Sequence, residues 1–445
     1  MKISCVKKAL IKQIDSVASQ ASLFCRNPGK DFSRSRKLSF AGTMKIVLGF
    51  GARSLSNELL DAFRFAPDAA SPSAFVQCRN KILPGAFETV FKRFSMSSSR
   101  FCSPKLYKGY RLLAVDGSDI HIPTDPSDKD SFFPGANGQA PYSLLHLNAL
   151  YDLLNRLYVD VSIQKRRNIN ESRALIDMME SSWLPPSIVI ADRGYESYNV
   201  MAHFQEANWF YLIRIKDRAS NGICSGLKLP DSPEFDMDLV MNMTRSMSNQ
   251  VKALLKDRNS FRFVPQTCVF DYLPLLNNCR TSKPVFYSLP FRILRFSVSD
   301  TLAETVVTNL PRQLFPPDEI RSLYSLRWGI ETSFRKLKHT VGLLHFHSKK
   351  TDSIFQEIYA ALTMYNFTEL VASSVVLRSG KSKHTYQVNF SVAVHVCKEL
   401  LTKNLRPPDA ETAIQKYVVP IRQNRKYKRI MSSSKRAVSF TYRVA

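Results

Sequence analysis

Three acidic residues of this 445-residue chain stand in positions from which carboxylates do chemistry. Asp116 closes the apolar run LLAVD within YRLLAVDGSDIHIP (110–123), and Asp192 closes IVIAD within SIVIADRGY (187–195). A carboxylate at the carboxyl end of a buried strand projects into the crevice where open α/β sheets bind ligands. Two such carboxylates on neighbouring strands repel each other unless a cation lies between them, so a divalent metal ion is the natural resolution. Either Asp taken alone reads more simply as a residue that starts a turn. The third acid, Glu331, lies in EIRSLYSLRWGIETSFRKLKHTVGL (319–343), which has the pattern of one long helix. Pro316-Pro317 precede it, and Asp318 is its expected N-cap. Tyr324, Arg327, Glu331 and Lys338 follow one another there at offsets of three, four and seven, which keeps them on one helical face. An acid flanked by Arg and Lys has the parts to grip phosphates. An ordinary surface laced with ion pairs such as Arg327–Glu331 has the same spacing. Trp328 falls elsewhere on the helix and reads as core rather than as a base-stacking residue.

Charge names the class of partner. The chain carries 63 Lys plus Arg against 37 Asp plus Glu, a net +26. Such a surface attracts polyanions: nucleic acid, anionic membrane or acidic protein. A content of 44% hydrophobic and 11% aromatic residues excludes a disordered or collagen-like chain. The first twenty residues have Lys spread through them and no continuous apolar core, so they do not read as a signal peptide. Ile358–Leu377 is apolar but contains Asn366 and Glu369, which suits a buried helix better than a membrane span. The expectation is a cytoplasmic protein with no membrane partner. None of the eight Cys forms a Cys-x-x-Cys pair, which points to free thiols. His121, His146, His345 and His347 lack the spacing of a zinc site. No Gly-rich phosphate loop appears, so neither ATP nor another small-molecule cofactor is implied.

Several elements must position the acids. Residues 1–105 read as short basic helices, starting at Ser56 and at Ser71-Pro72, with Gln77, Arg79, Asn80 and Lys81 on a polar side suited either to DNA or to solvent. From Tyr110 the chain turns to strands: 110–123, a hairpin over 146–163 turning near Leu154-Asn155, a helix at 171–183, a short strand in 187–195 ending at Asp192, a helix at 198–208 and a strand at 209–216. That order is a mixed α/β sheet. Residues 217–290 break the rhythm as a strand-rich insertion, helices return over 351–405, and 406–445 is a basic tail with no acid after Glu411.

The spacing Tyr-x2-Arg-x3-Glu-x6-Lys, written here YSLRWGIETSFRKLK, resembles the signature of the DDE transposases of the insertion-sequence-four family. The blocks DGSDIHIP and ADRGYES match in order, and the resemblance extends over residues 35–440. It implies a ribonuclease H-like core over 106–350, interrupted by the insertion, preceded by a helical DNA-binding region and followed by helices suited to dimerisation. Asp116, Asp192 and Glu331 are the implied catalytic triad, holding two Mg²⁺ ions about 3.5–4 Å apart, with Mn²⁺ as a substitute. Tyr324, Arg327 and Lys338 correspond to residues that contact DNA phosphates, and Arg193 is placed to do the same. The implied partners are DNA, as terminal inverted repeats and target, and a second copy of the chain in a synaptic complex. Relatives that cut through a hairpin stack an aromatic of the insertion on a flipped base. Phe261, Phe263, Phe270, Tyr272, Phe286, Tyr287 and Phe291 are the candidates here. Glu196 and Asp119 flank the acidic blocks and are open between supporting the site and closing turns. A nuclease without strand transfer, or a non-mobile DNA-binding descendant, is the alternative.

Overall fold

The computed structural model describes residues 2–135, 138, 140–218, 220–275, 284–299, 302–377, 385–402 and 405–421. The basic run RQNRKYKR (422–429) lies outside them.

Five helices open the chain: α1 (Ile3–Ser19), α2 (Phe40–Gly49), α3 (Leu55–Ala62), α4 (Pro72–Arg79) and α5 (Gly85–Phe101). Serine hydroxyls start three of them. Ser39, Ser54 and Ser71 accept bonds from the amides of Gly42, Asn57 and Ala74, each satisfying an otherwise orphaned donor. The cap of α3 is therefore Ser54 and not Ser56, because Leu55 already belongs to the apolar stripe.

The sheet follows: β1 (Leu112–Ile122), β2 (Phe132–Phe133), β3 (Tyr142–Asp152), β4 (Leu157–Lys165), α6 (Glu171–Glu180), β5 (Ile188–Ala191), α7 (Tyr198–Glu206) and β6 (Phe210–Ile215). The insertion supplies β7 (Phe235–Thr244), α8 (Asn249–Leu254), β8 (Phe261–Phe263) and the start of β9 (Tyr287–Ser299), and β10 (Leu302–Thr308) returns to the core. All ten strands join one sheet in the order β2-β3-β1-β5-β6-β10-β9-β7-β8, with β4 beside β3. Strands β4, β3 and β1 are antiparallel, whereas β1, β5 and β6 are parallel, joined through α6 and α7. The insertion thus extends the sheet instead of building its own, since β10 lends both edges, to β6 and to β9.

The remaining elements are α9 (Pro317–Ser325), α10 (Trp328–Arg335), a π-helical turn (Lys336–Val341), α11 (Thr351–Ser374), β11 (Tyr386–Val388), α12 (Phe390–Thr402), α13 (Pro407–Lys416) and β12 (Val418–Pro420). The stretch expected as one long helix is therefore three pieces. The amides of Leu326, Arg327, Gly329 and Ile330 bond three residues back, which tightens the chain between α9 and α10. Helix α9 is preceded by Pro316, so Asp318 sits in its first turn and makes no cap bond. No helix among the described residues is long and apolar enough to cross a membrane, and α11 is buried for most of its length.

The sheet separates two cores. Ala114, Ile120 and Ile122 of β1 share one with the N-terminal helices, α10 and α11. Leu113 and Val115 face the other, with α6 and α7. Arg79, expected on a polar face, is instead 2% exposed and pairs with Glu357 of α11 at 2.8 Å. Its Nη2 also donates to the Ser353 carbonyl, so α4 is bolted to the central helix.

Candidate active site

Strand parity aims the first acid. Asp116 has the parity of Ala114 and Ile120, so it faces α10, whose Ile330 and Phe334 lie in the same core. It does not end β1, which runs on to Ile122 against β3. It does stand just past Ala114, where the parallel pairing with β5 stops. Asp192 leaves β5 one residue after Ala191, at the same carboxyl end of the parallel strands. Glu331 is in the first turn of α10. Asp192 and Glu331 both lie near enough to Asp116 to act on its charge.

Arg327 stands among them. It is 5% exposed, with Nη2 3.0 Å from Glu331 Oε1 and Nη1 3.9 Å from Asp116 Oδ2. Burial raises the Asp116 pKa to about 6, and Asp192 and Glu331 add to that push, against the Gly117 amide and Arg327. An acid charged only with difficulty, beside two others, is a donor set of hard oxygens in want of a cation. Among the described residues, no group of three or more His, Cys, Asp or Glu is arranged to hold a metal ion, and the Arg327 guanidinium lies 3.9 Å and 3.0 Å from two of the acids. Carboxylate oxygens are the hard donors that a divalent ion takes.

The other expected residues fall in different places. Tyr324 is 4% exposed and belongs to the core beneath α9. Lys338 donates to Ser118 Oγ and to the Asp119 carbonyl, both at 2.7 Å, which ties the π-helical turn to β1 just beyond Asp116. Arg193 is exposed beside Asp192. Trp328 is 49% exposed, not core, with the Arg327 guanidinium 4.9 Å from its ring centroid. The inward stripe is Ile330, Phe334, Leu337 and Val341, and Trp328 is off it. Glu196 accepts from the amides of Lys216 and Ile223, which organises that loop and not the site.

Asp119 proves to be one end of a chain. His146 Nδ1 lies 2.6 Å from Asp119 Oδ1, and His146 Nε2 lies 2.8 Å from Glu171 Oε1. Burial pulls the imidazole pKa down, but the bonds to both carboxylates outweigh it and lift it to about 9. Arg166 pairs with the far side of Asp119. Glu171 escapes sequence reasoning because it sits at the first position of α6, where an acid is ordinary. The available signal was a glycine close behind each Asp, at Gly117 and Gly194.

The family described as Transposase DDE domain matches residues 107–367, more than half of the chain. The chain is 22% identical over 308 residues to a transposase for insertion sequence element IS231E of Bacillus thuringiensis subsp. finitimus, covering 64% of this chain and 63% of that one. It is 21% identical over 305 residues to transposase InsG for insertion sequence element IS4 of Escherichia coli (strain K12), covering 66% and 60%. The chain therefore spans about three-fifths of the length of these relatives. A piggyBac transposase synaptic complex with hairpin DNA aligns with a TM-score of 0.44 and 9% identity, over 91% of this chain and 81% of that one.

Proposed function

Since the chain belongs to the transposase DDE-domain family, we propose that it is an insertion-sequence transposase, which cuts DNA at the element's ends by hydrolysis and joins the freed 3′-hydroxyl to target DNA. One observation carries the reading. Asp116 and Glu331 share the Arg327 guanidinium, and Asp192 leaves the adjoining parallel strand. We read Asp116, Asp192 and Glu331 as the catalytic and metal-holding triad. The antiparallel run β4-β3-β1 continued by parallel β5 and β6, with acids at the carboxyl ends, supports a ribonuclease H-like core over 106–350.

Members of this family generally use divalent metal ions, and two Mg²⁺, replaceable by Mn²⁺, are the form proposed. Bound there, they would activate the attacking hydroxyl and stabilise the leaving oxygen. The protein's own residues do the rest. Asp116 must lose its proton to hold a cation, which its raised pKa makes sensitive to pH. Arg327, released from the carboxylates, is within reach of a scissile phosphate, and a planar guanidinium suits that group. Arg193 is exposed already and can take a neighbouring phosphate. Tyr324 and Lys338 can reach DNA only by leaving their present surroundings, so their part begins with holding α9 and β1.

DNA ends, target DNA and a second copy of the chain are the proposed partners, and the nucleoid-bearing cytoplasm is the proposed location. For a hairpin route, Phe270 and Phe291 are buried, whereas Phe286 is exposed and meets Phe261 edge-on at 5.9 Å. That pair is the better supply of a stacking ring, and the exposed Trp328 is a second. Incubation with end-bearing DNA, Mg²⁺ and a target plasmid tests the reading. Joined product is expected; cleavage without joining would make the protein a nuclease, and intact DNA would remove the activity altogether.

A further inference from the structure

We propose that Glu171 is a positioning residue that sets the separation of Asp116 and Asp192 from behind the sheet, with His146 as its anchor. The inference rests on the reading of those two acids as catalytic. It goes beyond that reading in naming what holds them apart.

The two acids are built alike. The Gly117 amide donates to Asp116 Oδ1 at 2.9 Å, and the Gly194 amide donates to Asp192 Oδ1 at 2.7 Å. Each carboxylate is thus oriented by the amide of a glycine close behind it. Both glycines leave room for the same side chain. A Cβ on Gly117 would collide with His146 Nε2 and would sit 2.6 Å from Glu171 Oε1. A Cβ on Gly194 would sit 3.3 Å from Glu171 Oε2 and 3.1 Å from Asp192 Oδ1. The carboxylate of Glu171 therefore spans β1 at Gly117 and the turn after β5 at Gly194, one oxygen toward each glycine.

It does so from the far face. Gly117 and Asp119 have the parity of Leu113 and Val115, which face α6, whereas Asp116 faces α10. Glu171 thus meets Gly117 on the face of the sheet that α6 covers. It fills the space that the missing Cβ atoms leave. His146 fixes its position, being held on its other nitrogen by Asp119, which Arg166 pairs in turn. Two carboxylates, one imidazolium and one guanidinium cancel in charge, so the chain can stand half-buried without drawing a cation away from the triad. Tyr195 lies in the same place, 1% exposed, with a hydroxyl that has no hydrogen-bond partner among the described residues. Glu171, Asp116 and Asp192 all lie near enough to act on it.

A strut and a charge are separable. Glu171→Ala removes the strut. Glu171→Gln keeps its shape and still offers His146 an oxygen. Mn²⁺ titration by calorimetry should show a dissociation constant raised at least about tenfold in the Ala variant, with end-DNA binding kept. The Gln variant should recover it to within about threefold of wild type. His146→Ala should match Glu171→Ala, and the double variant should be no worse than either, as for members of one chain. Amide hydrogen exchange on the metal-free protein reads the strut without any activity. Gly117 and Gly194 should both lose protection in Glu171→Ala. Unchanged exchange at both glycines overturns the proposal, and so does a Gln variant as impaired as the Ala variant. If wild type leaves end-bearing DNA intact, the functional reading fails, while the exchange comparison still decides the strut.

Discussion

Nη2 of Arg327 lies 3.0 Å from Oε1 of Glu331, one helical turn further along, on a side chain that is 5% exposed. The pair is more than a surface i, i+4 bridge, because the same guanidinium reaches toward Asp116. It stands in for a cation among acids that otherwise repel, and it makes the metal-free site a coherent state.

Arg327→Ala should therefore destabilise the metal-free protein by about 1–3 kcal/mol, the cost of leaving partly buried charges unpaired. Saturating Mg²⁺ should shrink that loss, because the carboxylates then have another partner. Urea denaturation with and without the ion measures both terms. An equal loss under both conditions would show that Arg327 acts through packing alone.

Asp116 gives a pH signature. Its folded pKa, about 6, lies above the 3.8 of a free Asp side chain. Between those values the folded state holds more protons than the unfolded one, so stability falls as pH rises through the window. The full effect is of order 3 kcal/mol at most, at about 1.4 kcal/mol per pH unit. Metal-free Asp116→Asn should be more stable than wild type near pH 7.5, by an amount that fades as pH drops to about 4. A gap that does not change with pH would contradict the assignment of burial as the cause.

Arg79 and Glu357 make the N-terminal helices inseparable from the rest. The pair is 2.8 Å apart, with side chains 2% and 7% exposed. Arg79→Ala should cost about 3–5 kcal/mol, since it strands a buried carboxylate. A fragment beginning at residue 106 should fail to fold, because α1, α2 and α5 share one core with α11. Circular dichroism of the fragment and denaturation of the variant check the two halves.

End binding should weaken steeply with salt. Each phosphate neutralised contributes about 0.9 to the slope of log affinity against log salt. With a net charge of +26, a chain that grips several phosphates should show a slope well beyond that of a single contact. A flat response in a filter-binding titration would place the charge away from the DNA.

Much of this was legible in residue order. Apolar runs ending in Asp-Gly and Asp-Arg-Gly mark strands whose ends carry acids, and β1 and β5 follow that reading apart from the extension of β1 past Asp116. The hairpin turn at 153–156 and the Ser71-Pro72 start were equally plain, because turn and cap chemistry is local. Tertiary effects were not legible. The break between α9 and α10 depends on bonds three residues back that periodicity does not encode. Trp328 is exposed because four other residues supply the inward stripe. Arg79 and Glu357 are 278 positions apart, so neither foretells the other's burial. Glu171 met the site through two glycines, and a glycine tells only that something comes close.

The central claim is that Asp116, Asp192 and Glu331 act as one site on DNA, and Glu331→Gln tests it most directly. Cleavage of end-bearing DNA in Mg²⁺ should be followed beside binding of the same DNA. The account predicts loss of cleavage by at least about a thousandfold, near 4 kcal/mol of barrier, with binding kept. Cleavage at the wild-type rate by Glu331→Gln would contradict it.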